Sequence, residues 1–124
     1  MSYLLDTCVA LWWLEGRPLS RKAQEAISDP RRIICLSAAS VWEISVKHAK
    51  GALPLPKGFY DALDREKFSP LPITAEHARA AGELPPHHRD PFDRMLIAQA
   101  QCEGLTLVTR DKQFEQYEVT VLAA

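Results

Sequence analysis

The chain has 124 residues, 47% of them hydrophobic and 25% charged, and a formal net charge of −1 at pH 7. That size and make-up fit one domain over residues 1–124 with a core of its own, and exclude disordered, collagen-like and disulfide-scaffold classes. The near-zero charge lacks the basic footprint of a general nucleic-acid binder, although a near-neutral total can hide an acidic pocket in a mildly basic surface.

The opening Met1-Ser2-Tyr3 runs straight into Leu4-Leu5-Asp6, with no basic stretch and no cleavage site of a leader. The longest unbroken apolar run, Cys8 to Leu14, is far short of the ~18 residues that span a bilayer. Cys8, Cys35 and Cys102 are widely spaced and form no CxxC, as expected for a reducing cytoplasm without a zinc knuckle.

Along the chain, Tyr3-Leu4-Leu5 reads as a short buried strand, followed by a helix over Cys8–Leu14 entered through Asp6-Thr7. Gly16-Arg17-Pro18 breaks it, and Ser20 is placed to cap a helix from Arg21 to Ser28. Ile33-Ile34-Cys35-Leu36 predicts a second buried strand. Ser37 would cap a helix from Ala38 to Lys50, stopped by Gly51. A helix over Phe59–Lys67 and a proline-interrupted strand over Ser69–Ile73 come next. Thr74 caps a helix to about Gly82, and Pro85-Pro86-His87-His88-Arg89 is loop. Pro91 opens a helix that runs to Glu103 and closes at Gly104. Leu105–Thr109 and Val119–Leu122 are the last strands. Strands apolar on both faces that alternate with helices predict an α/β fold, with a central, mostly parallel sheet covered by helices on both sides. Such sheets bind ligands beyond the carboxyl ends of their strands.

Four acids matter against that frame. Asp6 and Asp111 follow the first strand and the Leu105–Thr109 strand, where each could equally cap the next helix. Glu43 could pair with Lys47 at i,i+4 on a solvated face, yet its bulky apolar neighbours would also suit a pocket. Asp93 fits the positive end of its helix, but it also sits on the stripe of Leu96, Ile97 and Ala100 and so faces inward. Asp90 is the better N-cap of that helix. If the four converge, their repulsion calls for a cation, and an all-oxygen set suits Mg²⁺ or Mn²⁺ over Zn²⁺.

Other features read as ordinary. His87-His88 are neighbours in a loop expected to be solvated, and His48 and His77 lack a metal-like helical partner. No nucleophile elbow, P-loop or GxGxxG occurs. Leu11-Trp12-Trp13-Leu14 is either a helix wedged between layers or an exposed patch that receives a protein partner.

Four stretches in order carry a resemblance: Leu4-Leu5-Asp6-Thr7, Ser40-Val41-Trp42-Glu43-Ile44, His88 through Ala100 (HRDPFDRMLIAQA), and Leu107-Val108-Thr109-Arg110-Asp111. The sequence resembles the PIN-domain ribonucleases and, among them, the VapC toxins of bacterial toxin–antitoxin pairs. The resemblance implies a three-layer α/β/α sandwich and an endoribonuclease that uses Mg²⁺ or Mn²⁺ to activate water. It places the acidic quartet at Asp6, Glu43, Asp93 and Asp111, with Thr7 and Thr109 orienting ligands and Asp90 as an auxiliary acid. It also implies a homodimer and a cognate antitoxin that covers the active-site groove. Arg89, Arg94 and Arg110 flank the acids and are candidates for RNA phosphate contacts. Two rivals remain. One is a non-catalytic binding module of the same fold. The other is a phosphatase with Asp6 as nucleophile, which would usually need a second acid where Cys8 stands.

Overall fold

The computed structural model describes residues 2–124. Five strands form one sheet in the order β3-β2-β1-β4-β5, and every neighbouring pair is parallel. The strands are β1 (Ser2–Leu5), β2 (Ile33–Ser37), β3 (Ser69–Leu71), β4 (Thr106–Thr109) and β5 (Val121–Ala123). The helices are α1 (Thr7–Leu14), α2 (Arg21–Ser28), α3 (Ala38–Ala49), α4 (Phe59–Arg65), α5 (Ala75–Glu83) and α6 (Pro91–Glu103). A 3-10 turn over Lys112–Gln116, which the sequence reading lacked, follows β4. All strand pairs are parallel; β3 ends two residues before the expected Ile73, and β5 begins two residues after the expected Val119 and runs one past Leu122.

Alternation along the strands builds two cores, one per face. Tyr3, Leu5, Ile34, Leu36 and Val108 pack on one side with Val9 and Ala10 of α1, Ala23, Ala26 and Ile27 of α2, and Phe59 and Leu63 of α4. Leu4, Cys35 and Leu107 pack on the other with Leu96, Ile97 and Ala100 of α6 and Phe114 of the 3-10 turn. Helix α3 serves both, with Ala39 in the second cluster and Ile44 in the first. The predicted caps form: Ser20, Ser37, Thr74 and Asp90 each accept a hydrogen bond from a first-turn N–H of the helix that follows.

The Leu11–Leu14 segment is half-buried against the first core. The Arg110 guanidinium lies 4.4 Å from the Trp12 ring centroid, and Trp13 Nε1 donates to Glu66. Among the described residues the most exposed large hydrophobic side chain is Trp42, at 60%, packed edge-on against Phe92. No helix among the described residues is long and apolar enough to cross a membrane.

Candidate active site

The strand order reverses direction between β1 and β4, the position where parallel sheets open a crevice at their carboxyl ends. Asp6 leaves β1 there, its N–H bonded to the carbonyl of Val108 at 3.0 Å. Although Asp6 occupies the N-cap position of α1, its side chain makes no cap hydrogen bond. Its Oδ2 instead accepts from Thr109 Oγ1 at 2.8 Å. The same Thr109 hydroxyl accepts the N–H of Asp111 at 3.0 Å, so one threonine ties the first acid to the last.

Glu43 reaches the site from α3. Thr7 Oγ1 donates to Ser40 Oγ at 2.8 Å, which fixes α3 against the start of α1 about one turn before Glu43. Thr7 thus orients a helix and bonds no acid in this structure. Glu43 makes the i,i+4 pair with Lys47, at 2.5 Å through Oε2, yet it is 5% exposed. Its Oε1 is the one buried side-chain polar atom without a hydrogen-bond partner among the described residues. The pair holds the Lys47 ammonium above its ordinary pKa.

Asp93 stands in the first turn of α6, and Asp90 caps that helix by accepting from the N–H groups of Phe92 at 2.8 Å and Asp93 at 3.3 Å. Asp111 does two jobs: Oδ1 accepts the Gln113 N–H at 2.9 Å and caps the 3-10 turn, while Oδ2 faces the site. The capping alternative therefore holds in part for Asp111 and not for Asp6.

Electrostatics shows that the four acids share one field. Burial, followed by the charges of Asp6, Asp90, Glu43 and Asp111, pushes the Asp93 carboxyl up to about 8. Burial also raises Asp6; the Thr109 hydrogen bond opposes the rise, while Glu43 and Asp111 add to it. Cys8, the second residue of α1, is pushed up to about 11 by burial and by the charges of Asp6 and Glu43. Two desolvated carboxyls, Asp6 and Asp93, held up by the charges of their acidic neighbours mark a site short of positive charge.

His88 departs from the solvated loop expected of it. It is buried, its ring edge-on to Phe114, and its N–H donates to Tyr117 Oη at 2.8 Å. Its Nε2 lies 3.0 Å from Oδ2 of Asp93 and 3.0 Å from Oδ2 of Asp111. The nearest ligand atoms of His88, Asp93 and Asp111 all fall within 4.8 Å of one another, a spacing that could surround a cation. His87, beside it, is exposed and packs against the Tyr117 ring. Sequence places His88 at the head of the HRDPFDRMLIAQA stretch but gives no sign of its burial, because the groups that bury it come from Phe114 and Tyr117.

The three arginines part company. Arg89 is exposed. Arg110 is spent on the Trp12 ring and on the Pro18 carbonyl, which accepts from it at 2.8 Å. Arg94 donates to the carbonyls of Ala81, Leu84, Pro85 and His88 at 2.8–3.2 Å, closing the end of α5 and the loop onto α6. Arg94→Ala leaves those carbonyls without this donor, and at about 0.5–1.5 kcal/mol per net hydrogen bond a loss of roughly 2 kcal/mol in urea denaturation is expected. An unchanged midpoint would contradict the clamp.

A family model of the PIN domain matches residues 3–119. The chain is also 30% identical over 118 residues to ribonuclease VapC22 of Mycobacterium tuberculosis, a match covering 92% of this chain and 90% of that protein. The chain belongs to the PIN-domain family, in its VapC branch. A second PIN relative, the tRNA(fMet)-specific endonuclease VapC of Shigella flexneri, is 23% identical over 94% of this chain and 92% of its own. The PIN fold superposes on VapBC2 of Rickettsia felis bound to a promoter DNA fragment, with TM-score 0.78, 18% identity and coverage of 99% and 98% of the two chains. DNA-bound VapBC of Salmonella typhimurium gives TM-score 0.74 at 15% identity, with the same coverage.

Proposed function

We propose that this PIN domain, acting as one unit over residues 1–124, is a Mg²⁺- or Mn²⁺-dependent endoribonuclease and the toxin of a VapBC pair. The observation that supports this site is the pair of desolvated carboxyls Asp6 and Asp93, each raised further by Glu43 and Asp111, with Glu43 Oε1 buried and unpartnered. The donor set fits a hard divalent cation, since the four acids offer only oxygens.

In this reading Asp6, Glu43, Asp93 and Asp111 hold the metal. When bound, a divalent cation supplies Lewis-acid activation of water and of the scissile phosphate. Thr109 keeps Asp6 in register with Asp111 by its paired hydrogen bonds. Asp90 sets the first turn of α6 and thereby the place of Asp93. Arg89, exposed beside Trp42 and Phe92, is the arginine free to meet RNA phosphate. In the same reading the protein is a cytoplasmic homodimer with a cognate antitoxin; the solved toxin–antitoxin relatives support the antitoxin.

Two measurements test the reading. Purified protein incubated with RNA is expected to cut only with added Mg²⁺ or Mn²⁺ and to stop with EDTA; metal-independent binding without cutting would favour the non-catalytic module. Expression of the chain alone is expected to arrest growth, and co-expression with a small protein from the neighbouring reading frame to relieve it. Normal growth with an active chain alone would remove the toxin role and leave the nuclease.

A further inference from the structure

The site contains a histidine that the carboxylate chemistry does not use. His88 is held from three directions. Its N–H reaches Tyr117 Oη, which itself donates to the Pro85 carbonyl at 2.7 Å. Its carbonyl accepts from Arg94 at 3.2 Å. Its Nδ1 accepts the N–H of Asp90 at 3.2 Å. An accepting Nδ1 puts the ring proton of a neutral imidazole on Nε2. That N–H is directed at Asp111 Oδ2, with Asp93 Oδ2 at the same 3.0 Å.

Two consequences follow from this geometry. A nitrogen that carries a proton has no lone pair for a metal, so the three-group cluster of His88, Asp93 and Asp111 is not a histidine-ligated site while Nδ1 keeps its bond. And a donor placed between two carboxylates offsets their repulsion: it holds the site-facing Oδ2 of Asp111 beside Oδ2 of Asp93, while Oδ1 of Asp111 stays on the Gln113 N–H. Asp93 is carried by α6 and Asp111 by the β4 end, so without His88 between them no described hydrogen bond links their side chains.

We propose that His88 is a positioning residue for the metal-binding acids: its Nε2–H bonds Asp111 Oδ2 with Asp93 Oδ2 held 3.0 Å from the same nitrogen, and so presets their spacing for a divalent cation. This rests on the metal-site reading above. Groups outside the metal's own ligands that orient those ligands commonly change metal affinity by ~10–100-fold when removed.

The test uses Mn²⁺ as the probe, with binding read by EPR of the free ion alongside RNA cleavage and thermal melting. His88→Gln retains a donor near the Nε2 position, whereas His88→Asn retains an acceptor near the Nδ1 position and loses the donor. Mn²⁺ affinity is expected to fall about 10–100-fold in His88→Asn and His88→Ala and to recover most of that loss in His88→Gln. Equal losses in Gln and Asn, or recovery by Asn alone, would overturn the donor role in favour of loop ordering. Pulsed EPR of bound Mn²⁺ with ¹⁵N-labelled histidine should show no directly ligated nitrogen; a strong coupling lost in His88→Ala would overturn it by making His88 a ligand. If the wild type shows no Mn²⁺ binding that Asp93→Asn removes, the metal-site reading itself fails. If that binding is present and His88→Ala leaves it intact, only the His88 proposal fails.

Discussion

Asp93→Asn is expected to reduce RNA cleavage by at least 10²–10³-fold, the scale on which one preorganised group at a reacting centre counts, while leaving the fold in place and making the metal-free protein more stable at neutral pH. Asparagine keeps the shape of the side chain and removes its charge from a desolvated cluster where Asp6, Asp90, Glu43 and Asp111 all oppose it. The sign follows from linkage. The folded carboxyl sits at about 8, above its ordinary 3.8. Between those values the folded protein holds a proton that the unfolded chain has released. Metal-free stability is therefore greatest below about pH 4 as far as this group is concerned, and falls as pH rises toward 8, at up to ~1.4 kcal/mol per pH unit for one proton. Asparagine abolishes that contribution. A divalent cation competes with the proton, so its stabilising effect grows from pH 5 to pH 8. Melting curves across pH, with and without Mg²⁺, measure all of this. A wild type whose slope is identical to that of the variant would sink the assignment of Asp93.

The cut itself is expected to leave a 5′-phosphate on one product and a 3′-hydroxyl on the other. Metal-free ribonucleases commonly drive the RNA 2′-hydroxyl against phosphorus with an acid and a base on opposite sides, and leave a cyclic phosphate. The two loop histidines do not form such a pair. His88 is committed through its two nitrogens to Asp90 and Asp111, with Asp93 Oδ2 3.0 Å from Nε2, and His87 lies against Tyr117 on the exposed side of the same loop. Carboxylates that gather a cation suit in-line attack by water. A single 2′-deoxy substitution at the scissile nucleotide should then permit cleavage, provided recognition does not use that hydroxyl. Mass spectrometry of the ends decides between the routes, and a 2′,3′-cyclic phosphate would move the chemistry away from the acids.

What could be read in advance divides by the range of the forces involved. β1, β2 and α6 announced themselves locally, through apolar runs such as Ile33–Leu36 and through Asp90-Pro91 at one end and Gly104, with φ of 67°, at the other. Asp6 and Asp111 were legible as candidates because a parallel sheet assigns meaning to the residue after a strand. Their shared field was not, because it depends on Thr109 and on which acid loses its cap. The burial of His88 and the clamp made by Arg94 are not legible locally for one reason: their partners lie in other segments, Phe114 and Tyr117 for the histidine, Ala81 and Leu84 for the arginine. The strip Leu11–Leu14 stayed ambiguous until the structure showed Arg110 over Trp12 and Glu66 at Trp13. β3 and β5 are three residues each, and periodicity cannot fix the ends of strands that short.

The central place of β1 has a consequence for the order of folding. β1 pairs on one side with β4, Leu4 against Leu107, and the bond from Thr109 to Asp6 joins residues 103 apart. Contacts that distant form late, after most of the loop entropy between them has been spent. Asp93 and Asp111, carried by α6 and the end of β4, therefore join Asp6 only in the last stage of folding. A chain caught before β4 docks on β1 holds these acids apart, so a folding intermediate lacks the clustered charge that the proposed metal site needs.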